Sequence, residues 1–191
     1  MGMLIVGLIL FLGAHSTRIV SEGWRSAMIR RLGAGTWKTA YSLVSLIGLG
    51  LIIWGFSLAR QQPVQWWPAP YFMRHVAWLL TAVAFILLAA AYVPRNRIKA
   101  RVRHPMALGV AFWAVAHLLA NGNRGHVVLC GSCLVWAVLS FVSARMRDRV
   151  ARTLYPAGTV SGTVITVLAG LAAWAAFAFW AHGLLIGIRP M

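Results

Sequence analysis

HVAWLLTAVAFILLAAAYVPRNRIKARVRHPMALGVAFWAVAHLLAN, residues 75–121, holds the pattern that decides the fold. Nineteen residues from His75 to Val93 carry no formal charge; then come Arg95, Arg97, Lys99, Arg101 and Arg103, and a second uncharged run begins at Pro105. A helix of about 20 residues, rising ~1.5 Å per residue, matches the ~30 Å of bilayer hydrocarbon, where every backbone polar group must be satisfied inside its own segment. Pro94 closes the first run, and Pro105 suits the first turn of the next helix, where its missing N–H does no harm.

Working outward, the same alternation predicts an all-α polytopic bundle of six spans: Gly2 to Val20, Thr39 to Ala59, His75 to Val93, Pro105 to Asn121, His126 to Ser143 and Gly162 to Ile186. The basic residues test this partition. Fourteen of the eighteen fall in the odd loops: Arg18, Arg25, Arg30, Arg31 and Lys38; Arg95 to Arg103; and Arg145, Arg147, Arg149 and Arg152. Only Arg60, Arg74, Arg124 and Arg189 fall elsewhere. Positive charge is retained on the cytoplasmic side, so the odd loops face the cytoplasm and both termini the periplasm of an inner-membrane protein. The chain, residues 1–191, is read as one transmembrane domain. Its 61% hydrophobic content and mean hydropathy of +0.78 exclude a soluble domain. The formal charge of +16 is split between loops rather than gathered into a patch. That pattern argues against nucleic acid and for a bilayer with anionic headgroups as the partner. The opening apolar run has no basic leader and no A-x-A site, and is read as a retained span.

Two loops carry local signals. Val20, Trp24, Met28 and Leu32 recur every four residues, predicting a short basic amphipathic helix on the membrane surface, capped by Ser21, favoured by Glu22 and ended by Gly33 and Gly35. Gln61 to Tyr71, with Trp66, Trp67 and three prolines, predicts a non-helical aromatic cover at the outer interface. Gly48, Gly109, Ala169, Gly170, Ala172 and Ala173 are small enough to let helices approach closely.

None of the six spans contains Asp or Glu, which leaves histidine as the strong ligand or proton carrier at depth. His104 falls near the cytoplasmic face, and His75, His126 and His182 towards the outer face, where snorkelling or a backbone hydrogen bond explains them. His117 follows His104 by a helical advance of about 20 Å and belongs to the outer half, with His15 between the two levels. His15 and His117 lie in otherwise apolar helices, where an unpartnered imidazole is costly and a hydrogen bond to a neighbouring helix is one remedy. Haem iron is another, since it takes two neutral imidazoles as axial ligands. Zinc would draw further ligands from Cys130 and Cys133, which share a helical face, although small buried cysteines are common in helices. Arg103-His104-Pro105-Met106 reads as an interfacial turn, or as a seat for an anionic group or propionates at a helix start. Asp148, between Arg147 and Arg149, reads as a local ion pair.

Six segments carry a resemblance: LFLGAHS ending at Ser16, YSLVSLIGLGLIIWGF from Tyr41, AAAYVPRNRIKARVRHPMALG from Ala89, AVAHLLANG from Ala114, YPAGT from Tyr155, and FWAHGLLIG near the end. Together they resemble the NnrU-like membrane proteins associated with bacterial denitrification and nitric oxide metabolism, over essentially the whole chain. That family is similar to plant zeta-carotene isomerase, which holds haem b. The resemblance implies haem b ligated by His15 and His117; placement in the outer half makes His75 with His117 the second pair, and the helix start at Arg103 and His104 makes them further candidate cofactor contacts. It also implies a nitrogen-oxide reductase or electron-transfer partner, or a non-catalytic accessory role beside such a complex. RHPMALG is similar as well to the RHPxYxG entrance of membrane methyltransferases that use S-adenosylmethionine, but Ala107, after Met106, stands where those carry the tyrosine, and the next cytoplasmic segment offers Asp148 but no glutamate.

Overall fold

The computed structural model describes residues 1–188. In chain order its helices are α1 (Gly2–Val20), α2 (Glu22–Leu32), α3 (Ala34–Gln61), α4 (Met73–Tyr92), α5 (Arg97–Val102), α6 (Pro105–Ala120), α7 (Arg124–Ala151) and α8 (Val160–Ala176); a π-helical turn, Phe177–Ala181, then leads into α9 (His182–Ile186). Among the described residues β structure is confined to two isolated bridges. Five segments are long and apolar enough to cross a membrane: α1, α3, α4, α7 and the run Val160–Ile186. The sixth expected span forms the 16-residue α6, about 24 Å long and so shorter than the ~30 Å hydrocarbon core. Arg189, counted with the outer charges, lies outside the described residues.

The ends of the helices follow their local chemistry. α7 continues past Ser143 to Ala151 because the stretch Ala144–Ala151 holds neither glycine nor proline. The expected surface helix is α2, with two corrections. Ser21 stands at its N-cap without a side-chain cap bond, and Glu22 instead pairs with Arg18 at 3.1 Å and Arg25 at 3.0 Å. Gly33, at φ +81°, ends the helix in a conformation that a side chain would resist, whereas Gly35 already belongs to α3.

Two compact units emerge, residues 1–69 with 121–140, and residues 70–120 with 141–188. In the first, α1 and α3 meet backbone to backbone. A Cβ on Gly48 would come within 2.7 Å of Phe11 N, one on Gly7 within 2.6 Å of Ile52 N, and one on Gly55 would collide with the backbone of Leu4. Leu4, Leu8 and Ile52 fill the core beside this contact, with Phe56, Val128 and Leu129 against them. The expected aromatic cover is non-helical, and it is pinned by Trp66 N–H to Gly122 O and Arg124 N–H to Val64 O, both 2.8 Å.

In the second unit α4 packs on α6 and α8. Gly109 lies against Ala84 and Leu88, and Gly170 against Ile86, as small residues there should allow; Ala169, Ala172 and Ala173 are exposed instead. Trp174 Nε1 donates to Thr81 Oγ1 at 3.1 Å. Buried Asn96 orders the basic loop: its Nδ2 donates to Ala90 O and Val93 O, and its Oδ1 accepts from Lys99 N–H at the start of α5.

Because the α1–α3 approach leaves no room at Gly48, Gly48→Leu is expected to cost about 1–3 kcal/mol or more through overpacking. Gly50, with nothing within 4 Å of its Cβ position, is the control: Gly50→Ala should leave the melting temperature in detergent unchanged or raise it, through about 1 kcal/mol of helix propensity.

Candidate functional site

The six histidines sort by what holds their rings. On α1, His15 Nδ1 lies 2.7 Å from Phe11 O, one turn back. A carbonyl can only accept, so Nδ1 carries the proton and the neutral ring has its lone pair on Nε2. Phe11, Tyr41 and Trp136 surround the imidazole, with ring centroids at 4.3, 5.1 and 6.0 Å. The Trp136 indole N–H is buried without a hydrogen-bond partner among the described residues. On α6, His117 repeats the arrangement, with Nδ1 2.8 Å from Trp113 O and its ring 4.8 Å from that of Trp113. Each imidazole thus satisfies Nδ1 on its own helix rather than on a neighbouring one, and both adopt the tautomer whose Nε2 is basic.

His182, His75 and His126 are held differently, the first by a backbone carbonyl and the other two against aromatic rings. His182 Nδ1 lies 2.6 Å from Ile188 O, where the chain turns back through Gly187 at φ +74°. His75 sits between the rings of Tyr71 and Trp78, and His126 meets Phe56 edge-on at 5.0 Å. His15 and His126 belong to the first unit; His75, His104, His117 and His182 belong to the second. Cys130 is buried, and both cysteines are free thiols. Among the described residues no three His, Cys, Asp or Glu side chains gather as a zinc site would require.

A second cluster lies at the end of the second unit that carries the basic loops. His104, just before α6, has Nε2 2.8 Å from Asp148 Oδ2, and Tyr155 OH donates to the same oxygen at 2.9 Å. The expected pairing of Asp148 with its sequence neighbours is therefore corrected: the carboxylate turns to His104 and Tyr155, and Arg147 donates to Ser143 Oγ at 2.7 Å. The cause is the unbroken length of α7, whose helical twist sets the three side chains at 147, 148 and 149 on different faces. Arg103, at φ +67°, holds its guanidinium over the Tyr155 ring at 5.7 Å. Asp148 and Tyr155 were missed as site residues. The available signal was the absence of any helix breaker between Ser143 and Ala151, which places the region's one carboxylate on a rigid element. Burial, and then the hydrogen bond given to Asp148, hold the Tyr155 phenol above the ordinary tyrosine value, so it stays a neutral donor.

Chemically, the two clusters differ. His15 and His117 lie in apolar helices with Nδ1 turned to a carbonyl of their own helix. His104, Asp148 and Tyr155 are a hydrogen-bonded set built on one carboxylate oxygen. A family model described as NnrU protein matches residues 3–190. No curated protein and no solved structure matches the chain.

A raised folded-state value means the folded chain keeps the Tyr155 proton longer than the unfolded chain does. The stability this contributes is present below the unfolded value near pH 10 and is lost as pH rises through the folded value. In an ultraviolet titration of the folded protein, the phenolate signal missing from Tyr155→Phe should be less than half developed at pH 10.

Proposed function

The chain belongs to the NnrU family, and we propose that it is a haem b-binding protein of the bacterial inner membrane in which His15 and His117 would hold haem, serving nitric oxide or nitrite metabolism. The observation that carries the reading is the repeated geometry of these two imidazoles. Each gives Nδ1–H to the carbonyl one turn back, at 2.7 and 2.8 Å, the outer bond that fixes ring orientation and makes Nε2 the ligating nitrogen. The donor set fits haem: imidazole nitrogens, apolar helices and flat aromatic neighbours, with the ring of Trp136, whose indole N–H has no hydrogen-bond partner among the described residues, perpendicular to that of His15. When bound, haem would supply one-electron chemistry. The protein's part is to hold each ring in one tautomer and to keep water from the imidazole, as Phe11 and Tyr41 do beside His15.

The same reading has six spans, α6 included, with both termini on the periplasmic side and the fourteen basic residues of the odd loops in the cytoplasm. Five residues of α6, among them Gly109 and Ala114, are buried, which suits a short span shielded by protein. An electron-transfer protein or a nitrogen-oxide reductase in the same membrane is the partner such a haem would need.

Protein purified in detergent after haemin-supplemented expression is expected to show a Soret band that shifts on dithionite reduction, and the haem-to-protein ratio tells whether the two histidines serve one iron or two. His15→Ala and His117→Ala should each remove most of that absorbance while the protein still inserts in the membrane. A colourless, correctly folded wild-type preparation would sink the proposal.

A further inference from the structure

Expected as further cofactor contacts, Arg103 and His104 stand in a cluster with Asp148 and Tyr155 at the basic end of the second unit, a cluster that ligation by His15 and His117 does not require. Asp148 is one of only two acidic residues in the chain and sits amid arginines, yet its partners are an imidazole and a phenol. Arginine would neutralise the carboxylate at every pH, whereas histidine makes the contact a place where a proton arrives and leaves. A carboxylate only accepts, so His104 Nε2 carries the hydrogen, and in the neutral ring the lone pair lies on Nδ1. Among the described residues Nδ1 has no hydrogen-bond partner, and the His104 side chain keeps 24% of its surface exposed while that of Asp148 keeps 9%. Phe141 and Tyr155 stand edge-on to the imidazole at 6.3 and 6.1 Å and fix its plane.

We propose that His104 is the general base of a second site, independent of haem, and that Asp148 is its positioning residue. The ligand is a small molecule or lipid head that presents a weakly acidic O–H or S–H group at this boundary. In the step, the Nδ1 lone pair forms an N–H bond as the ligand's X–H bond breaks, and the electron pair stays on X. The imidazolium is stabilised by Asp148, and the ligand anion by the positive charge of Arg103, which also acts on Asp148 and Tyr155. Tyr155, donating to the same carboxylate oxygen as His104, holds Asp148 in place.

Diethylpyrocarbonate, which acylates an unprotonated imidazole nitrogen, tests this on the full chain in detergent, with mass spectrometry to identify the modified histidine. His104 should react fastest of the six. Asp148→Asn should slow it about tenfold or more, because the amide can donate to Nε2 and drive the proton onto Nδ1. Asp148→Glu, which can only accept, should restore most of the rate. An unchanged rate in a folded Asp148→Asn protein, or another histidine reacting ahead of His104 in wild type, would overturn the assignment. Should Asp148→Asn fail to fold, nitrogen-15 NMR of histidine-labelled wild type decides: protonated Nε2 with bare Nδ1 supports it, and the opposite tautomer ends it.

Discussion

Hydrocarbon offers no hydrogen bonds, so each polar group the chain carries into it must be satisfied by the chain itself. Helices meet that demand for the backbone, and the side chains then follow the helices. His15 and His117 turn back on the carbonyl one turn before them, and Thr166 does the same with Gly162 O at 2.7 Å. Where a helix ends, as at Val93, a buried asparagine takes over the carbonyls and starts the next turn. The geometry of the candidate ligands is thus a consequence of the solvent: an imidazole that must surrender Nδ1–H to its own helix is left with one basic nitrogen.

The same solvent inverts the usual distribution of residue size. Among the described residues, eight of the thirteen buried hydrophobic ones are alanines, whereas Ile9, Leu46, Leu79 and Leu168 are more than half exposed. In water such a surface would be an aggregation patch. In lipid it costs nothing, and helices gain from meeting closely enough for dispersion contacts along their backbones. Gly7, Gly48 and Gly55 in the first unit, and Gly109 and Gly170 in the second, are where that approach is closest.

The polar chemistry outside the hydrocarbon obeys a different rule. Water is near, charges are frequent, and a carboxylate has many cations to choose from. That Asp148 binds His104 and Tyr155 reflects the reach of α7 beyond the apolar run and the left-handed turn at Arg103, which sets His104 at the start of α6. One chain therefore holds imidazoles of two characters. His15 and His117, within helices, have a carbonyl partner, and His104 at the basic end has a carboxylate partner.

Membrane character, the approximate spans and the basic loops were legible in the amino-acid order, because a transmembrane helix is defined by local composition and length alone. So was the short helix α2, from a four-residue apolar period. What the order of residues did not reveal depends on direction in space. Whether His15 bonds to its own helix or another, whether α6 reaches full span length, and which glycine touches a backbone are settled by rotamer and packing. Asp148 shows the difference most clearly: in sequence its neighbours are Arg147 and Arg149, but a helix points successive side chains about 100° apart. Residues 104, 148 and 155 become neighbours only once α6 and α7 have folded.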